Sequence, residues 1–160
     1  MILVEMTDDD VAAMLRGDDA VRPGLRAAPG GVDDVPVLEH VRRMRARYPA
    51  GHWMMVAGGE VVGLCGIKTP PSRDGEVEIG YGVAASRRRL GHATAAIAAL
   101  IERASRKPSI ATIIACTAVD NLASQRVLER NGFARAGRRP DPDDGEVIIW
   151  RKELSSAPVA

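Results

Sequence analysis

Hydrophobic positions recur along this chain with two distinct periods. The run Glu76-Val77-Glu78-Ile79-Gly80-Tyr81-Gly82-Val83 alternates, which predicts a strand with Val77, Ile79, Tyr81 and Val83 on one face and Glu76, Glu78, Gly80 and Gly82 on the other. Glycines inside a strand predict a bulge, or a backbone that something approaches closely. An arginine-glycine turn follows, and then the period lengthens. From Ala93 to Lys107 the apolar positions Ala93, Ile97, Leu100 and Ile101 share one side of a predicted helix, which Lys107-Pro108 ends. Ser109 to Thr117 is nearly all apolar, as expected of an interior strand buried on both faces. Strand, loop, helix, strand predicts a right-handed parallel crossover.

The remaining elements read from the same signals. Met1 to Met6 is a short strand, and Thr7-Asp8-Asp9-Asp10 caps a helix carrying Val11, Met14 and Leu15. Arg16 to Val32, rich in glycine, proline and charge, reads as a loop or broken connection. Asp34 to Arg47 reads as a helix with Val35, Leu38, Val41, Met44 and Arg45 at helical spacing, and Arg42, Arg43, Arg45 and Arg47 as its solvated face. His52 to Ala57 and Val61 to Lys68 flank Gly58-Gly59 as a hairpin. Asp120 or Asn121 caps a helix bearing Leu122, Val127 and Leu128, which Asn131-Gly132 stops. Phe133 plugs the core, Arg139 to Gly145 is a turn, and Glu146 to Lys152 is the last strand. Residues 1–154 read as one domain and 155–160 as a flexible tail.

Composition narrows the classes of function. The 160 residues are 46% hydrophobic, enough for a packed core, and 22 basic against 21 acidic residues leave a net charge of +1. With aromatics at 3%, neither a nucleic-acid surface nor an anionic membrane is expected as a partner. Cys65 and Cys116 read as free thiols, and His40, His52 and His92 lack zinc-like spacing, so no metal site is expected. No run suits a signal peptide or a membrane span, and the expected location is cytoplasmic.

The turn Arg88-Arg89-Leu90-Gly91-His92-Ala93-Thr94 carries the candidate chemistry. The first amides of a helix lack intrahelical partners, and the positive end of the helix dipole favours an anion. Gly91 leaves such an anion unobstructed, and Arg87, Arg88 and Arg89 add positive charge. A nucleotide-phosphate protein is the weaker reading, because no lysine-serine or lysine-threonine pair follows the glycine.

Three segments at linked positions are the strand with Glu78, the turn Arg88-x-x-Gly91-x-Ala93, and Asn121-x-x-Ser124-x-x-Val127-Leu128-x-Arg130-x-Gly132-Phe133. Together they resemble the GCN5-related N-acetyltransferase (GNAT) superfamily, in particular its ribosomal-protein N-terminal acetyltransferase-like branch. The resemblance covers Val56 to about Lys152 and implies an α/β fold: a mixed, mostly antiparallel sheet, splayed between two parallel strands and flanked by about four helices. It implies an acetyl-CoA-dependent N-acetyltransferase acting by direct attack in a ternary complex. The acceptor would be a small molecule bearing a primary amine, or a protein N-terminus, and the protein a monomer or homodimer.

By the same resemblance, the backbone of Tyr81, Gly82 and Val83 would bind the pantetheine arm like an added strand. The amides of Arg89, Leu90, Gly91, His92, Ala93 and Thr94 would hold the pyrophosphate beside Arg88. Asn121 would contact the cofactor and Ser124 would lie near its sulfur. Strands 76–83 and 109–117 would splay from the bulge.

The chemistry needs a carboxylate to take the amine's proton, a donor for the carbonyl oxygen such as the Val83 amide, and a proton for the sulfur. Glu78 is the first candidate base and Glu146 the second. Many relatives carry a tyrosine acid seven residues after the asparagine; here that residue is Leu128, which leaves Ser124 or water to serve. Tyr81 faces away from Glu78, so its hydroxyl is expected outside the slot. A non-catalytic acyl-CoA-binding module is the alternative.

Overall fold

The computed structural model describes residues 1–155; of the predicted tail 155–160, all but Ser155 lies outside the described residues. Nine strands and four α-helices alternate along the chain. They are β1 (Ile2–Glu5), α1 (Asp8–Arg16), β2 (Ala20–Arg22), β3 (Leu25–Ala27), α2 (Val35–Arg47), β4 (His52–Ala57), β5 (Glu60–Ile67), β6 (Glu76–Val83), α3 (His92–Ser105), β7 (Thr112–Ala118), α4 (Leu122–Arg130), β8 (Ala134–Asp141) and β9 (Gly145–Glu153). The main sheet runs β1-β4-β5-β6-β7-β9-β8, with β3 added beside β5. Its pairs are antiparallel except β6 with β7 and β3 with β5. This is the mixed, mostly antiparallel sheet with four helices that the sequence predicts.

Alternation along the strands sends side chains into two cores. On β4, Trp53 and Met55 join Leu3, Ile79, Ile97, Leu100, Leu128 and Trp150 under α3 and α4. Met54 and Val56 join Val11, Met14, Leu38 and Val41 under α1 and α2. The helices therefore cover opposite faces of the sheet. Phe133 is buried just before β8, as predicted. Thr7 starts α1 with a reciprocal capping box: its hydroxyl accepts from the Asp10 amide at 3.3 Å, and Asp10 accepts from the Thr7 amide at 2.7 Å.

Four expectations change. The segment from Arg16 to Val32 is not a plain loop: β2 and β3 pair in it, and β3 then pairs in parallel with Glu60 and Val61. Val21 and Val32 anchor it in the core, a signal that its glycines and prolines masked. Arg45 is not on a solvated face. It is buried, donating to Asp8 at 3.0 Å and to the Pro49 carbonyl at 3.0 Å. Strand β8 runs on through Arg139 and Pro140 to Asp141, so the turn is shorter than predicted; Pro140 is tolerated because β8 is the edge strand. Finally, β6 contains no bulge: its pairing with β5 runs unbroken from Ile67↔Ile79 to Gly63↔Val83.

His52 is buried at the start of β4, and burial, aided by the Arg45 guanidinium, pushes its ring down to about 4. The folded protein thus keeps the ring neutral, whereas the unfolded chain protonates it below about pH 6.5. The contribution is complete above that value and is lost as pH falls from about 6.5 towards 4, by up to about 3 kcal/mol. Urea unfolding should give a midpoint that falls as pH drops through this window, with the His52 ring protons at neutral-form NMR shifts down to about pH 5.

Candidate active site

The site begins where two parallel strands part. β6 and β7 pair from Glu76↔Thr112 to Ile79↔Ala115 and then stop. Beyond that point β6 stays with β5 through Gly63↔Val83, and β7 stays with β9 through Ala118↔Val147. The β5–β6 ladder is fixed by Lys68 N–H to the Glu78 carbonyl at 2.8 Å and Ala84 N–H to the Val62 carbonyl at 2.8 Å. Antiparallel alternation then directs the peptide groups of Gly80 and Gly82 to β5 and those of Tyr81 and Val83 into the gap. The predicted splay is present, without the predicted bulge.

The turn after β6 ends at the mouth of this gap. Arg89 (φ 65°) and Gly91 (φ 78°) both adopt the left-handed conformation, and Gly91 precedes the first turn of α3. No side chain caps that end, and the first bond closing it is Ala95 N–H to the Gly91 carbonyl at 3.1 Å. The amides of His92, Ala93 and Thr94 are therefore open to an anion. Leu90 is exposed beside them. Arg88 Nε donates to the Val83 carbonyl at 3.3 Å. Arg87 does not add free charge as the sequence suggested: Glu60 holds its guanidinium at 2.6 and 3.1 Å.

Helix α4 closes the far side. Asn121 caps it, accepting from the Ser124 amide at 3.2 Å. Buried Gln125 donates to the Ala118 and Val119 carbonyls at 3.2 and 3.1 Å and so fixes the end of β7. Asn131 ties the other end of α4 to the Thr94 carbonyl at 3.2 Å, linking the helix to the α3 turn. Leu128 is fully buried.

One expectation is reversed here. The Tyr81 hydroxyl, expected outside the slot, spans from β6 to α4 and meets Ser124 Oγ at 2.7 Å, with the Ser124 carbonyl at 3.2 Å. Burial pushes the Tyr81 phenol up, while the bond to Ser124 opposes that. The face assignment of Tyr81 was correct, but α4 covers that face and brings Ser124 to it.

The candidate carboxylates lie apart. Glu78 sits in the still-paired stretch opposite Ile114, between Lys68 at 2.9 Å and Arg139 at 3.7 Å. Cys116 shares that patch, its thiol 3.4 Å from Arg139; burial and the Glu78 charge push it up. Glu146 is at the exposed start of β9, 3.9 Å from Arg138. Sequence reasoning missed Asp33, a half-buried carboxylate lying on Gly82, as well as Gln125 and Asn131. A cleft of about 560 Å³ between Met14, Asp18, Arg26, Gly31 and Glu60 backs onto the loop before Asp33, but none of the predicted site residues lines it. Among the described residues no cluster of three or more His, Cys, Asp or Glu side chains could hold a metal, and no helix is long and apolar enough to cross a membrane.

This fold and gap define a class. A sequence model of the acetyltransferase (GNAT) domain matches residues 1–134, and the chain belongs to that family. It is 38% identical over 74 residues to the uncharacterized N-acetyltransferase YjdG of Bacillus subtilis (strain 168). That match takes in 46% of this chain and 44% of the relative, so less than half of either protein is compared. Among solved structures, the fold resembles RimL, a ribosomal α-N-protein acetyltransferase bound to coenzyme A, with a TM-score of 0.74, 17% identity, and 97% of this chain and 94% of that one covered. It also resembles the aminoglycoside acetyltransferase AAC(6')-Ib in complex with coenzyme A, with a TM-score of 0.70, 19% identity, and 94% and 93% covered.

Two glycines of the site should differ in what they tolerate. A Cβ on Gly91 meets nothing within 4 Å, so Gly91→Ala should cost only the left-handed backbone, about 1 kcal/mol. Gly82 carries no left-handed cost, but a Cβ there would stand 3.1 Å from Asp33 Oδ2, so Gly82→Ala should push the Asp33 carboxylate aside by a few tenths of an ångström. Thermal unfolding with amide NMR checks both: Gly91→Ala leaves the Asp33 signal in place and Gly82→Ala moves it.

Proposed function

We propose that this protein transfers an acetyl group from acetyl-CoA to a primary amine by direct attack within a ternary complex. The observation that carries this reading is the line from the open α3 amides to the peptide groups of Tyr81 and the amide of Val83, which no neighbouring strand pairs. A diphosphate suits the first, and the amide-bearing pantetheine arm suits the second as a surrogate strand. Family membership and the fold shared with coenzyme A-bound enzymes support the same reading. The bound thioester supplies an activated acetyl carbon.

The chain's own groups then have defined tasks. The amides of His92, Ala93 and Thr94 hold the pyrophosphate, with Arg88 and Arg89 nearby as added positive charge. Arg88 already neutralises the Val83 carbonyl, which leaves the Val83 amide to donate to the acetyl oxygen as it gains charge. Asn121 orients Ser124 by capping α4. Ser124 Oγ donates to the departing sulfur, and the Tyr81 hydroxyl at 2.7 Å replenishes that proton. A serine hydroxyl alone is a poor acid; the phenol behind it is the stronger one, even with burial pushing it above its usual range. This pair stands in for the tyrosine that Leu128 displaces. Holding amine and thioester in line supplies much of the remaining rate.

Isothermal calorimetry tests the binding half: the folded protein should bind coenzyme A, and Gly91→Glu, which sets a carboxylate against the phosphates, should weaken that by about tenfold or more. A folded protein with no heat of binding sinks the reading. For the chemical half, Tyr81→Phe and Ser124→Ala should each lower kcat for CoA release by about 10- to 100-fold with little change in the KM for acetyl-CoA. Binding without turnover of any primary amine would instead favour a regulatory acyl-CoA-binding module.

A further inference from the structure

The loop between β3 and α2 carries a carboxylate that the mechanism above leaves unused. Two bonds pin this loop: the Ala28 amide donates to the Val61 carbonyl at 3.1 Å, and the Ser86 hydroxyl donates to the Pro29 carbonyl at 2.6 Å. So held, the loop lays Asp33 back across β6. Its Oδ2 comes within 3.1 Å of the point where a Cβ on Gly82 would be, a position that only glycine leaves free. Its Oδ1 accepts from the Asp34 amide at 2.8 Å. Arg88 attracts it through space without closing an ion pair.

Glu78 is placed differently. It lies four residues earlier on the same face, about 13 Å along the strand from Gly82. Lys68 and Arg139 already bind it, in the stretch where β6 and β7 have not yet parted. Asp33 lies beside the gap itself, next to the peptide groups of Tyr81 and Val83.

We propose that Asp33, rather than Glu78 or Glu146, receives the acceptor's ammonium group and takes its proton, which makes the surface between the Asp33 loop and Gly82 the amine subsite. This rests on the acetyl-transfer reading. The amine nitrogen forms its bond to the acetyl carbon as the carbon–sulfur bond breaks. Asp33 takes the first of the two protons that the ammonium must lose, which frees the lone pair for attack. The second leaves the nitrogen to water as the amide forms, and the sulfur's new electron pair takes a proton from the Ser124–Tyr81 pair, which solvent reprotonates. Burial, reinforced by the Asp34 charge, pushes the Asp33 carboxyl above the usual carboxylate range, while the Asp34 amide and Arg88 pull the other way. A base so raised is better matched to an amine proton than a carboxylate neutralised by two cations.

Asp33→Asn tests this, since it keeps the shape and the Oδ1 acceptor. The probe is n-butylamine, a minimal primary amine. Titrated into the ¹⁵N-labelled wild-type protein without coenzyme A, it should shift the Asp33, Asp34 and Gly82 amide signals saturably, and in the variant about tenfold more weakly. With saturating acetyl-CoA, the variant should lose about tenfold or more in kcat/KM for n-butylamine while its calorimetric Kd for coenzyme A stays within about twofold. Absent shifts, shifts that persist in the variant, or a loss of coenzyme A affinity as large as the loss of kcat/KM would overturn the proposal. The amine titration needs no coenzyme A, so failure of cofactor binding removes the transfer reading and with it the proton-accepting role of Asp33, whereas failure of the amine titration removes the amine subsite alone.

Discussion

The parting of β6 from β7 after Ile79↔Ala115 is the constraint on which the site depends. A sheet gains by pairing every peptide group, and a buried group left unpaired costs about 1–3 kcal/mol. The chain accepts unpaired groups here because each strand follows a different neighbour. β6 is held to β5 as far as the bond between Ala84 and Val62, and β7 is held to β9 as far as Ala118. Gln125 bonds the carbonyls of Ala118 and Val119, so β7 cannot lean back towards β6 without breaking those bonds. The gap is thus enforced from both sides, and it leaves the peptide groups of Tyr81 and the amide of Val83 without a strand partner.

Charge around the gap is arranged by pairing as much as by sequence count. Glu60 consumes Arg87, so that arginine contributes no free cation to the turn before α3. Glu78 is consumed in the same sense by Lys68 and Arg139. What stays free is a helix terminus for an anion on one side of Gly82 and a lone half-buried carboxylate on the other. Surface ion pairs contribute little to stability.

Much of the fold was legible because its signals are local. The alternation of Glu76 to Val83, the apolar run of β7, the Gly58-Gly59 turn and the stop at Asn131-Gly132 each specify one element within a few residues. The glycine turn before α3 and the Asn121 cap of α4 were legible for the same reason. What escaped depends on contacts distant in sequence. Asp33 is separated from Gly82 by 49 residues, and nothing in Gly30 to Asp34 signals which strand that loop will cover. Tyr81 could be assigned to the correct face, but the identity of the helix covering that face, and hence its bond to Ser124, is a tertiary fact. The glycines of β6 were readable as marks of close approach. They could not say that the close neighbours would be Asp33 and Lys68 of the same chain.

The alternation of β6 would also separate the two proposed proton transfers. Odd-numbered side chains of this strand face α3 and α4, and Tyr81 reaches Ser124 there. Even-numbered positions face the other way, and Asp33 lies against one of them. A thioester threaded through the gap would therefore present its sulfur to a proton-donating pair on one face and its carbonyl carbon to a proton-accepting carboxylate on the other. A base and an acid placed on the same face at contact distance would tend to exchange their proton with each other. With the sheet between them, the proton taken from the amine and the proton given to the sulfur travel by separate routes. The buried Leu128 fits this division: α4 need not carry a tyrosine when β6 supplies one from across the gap.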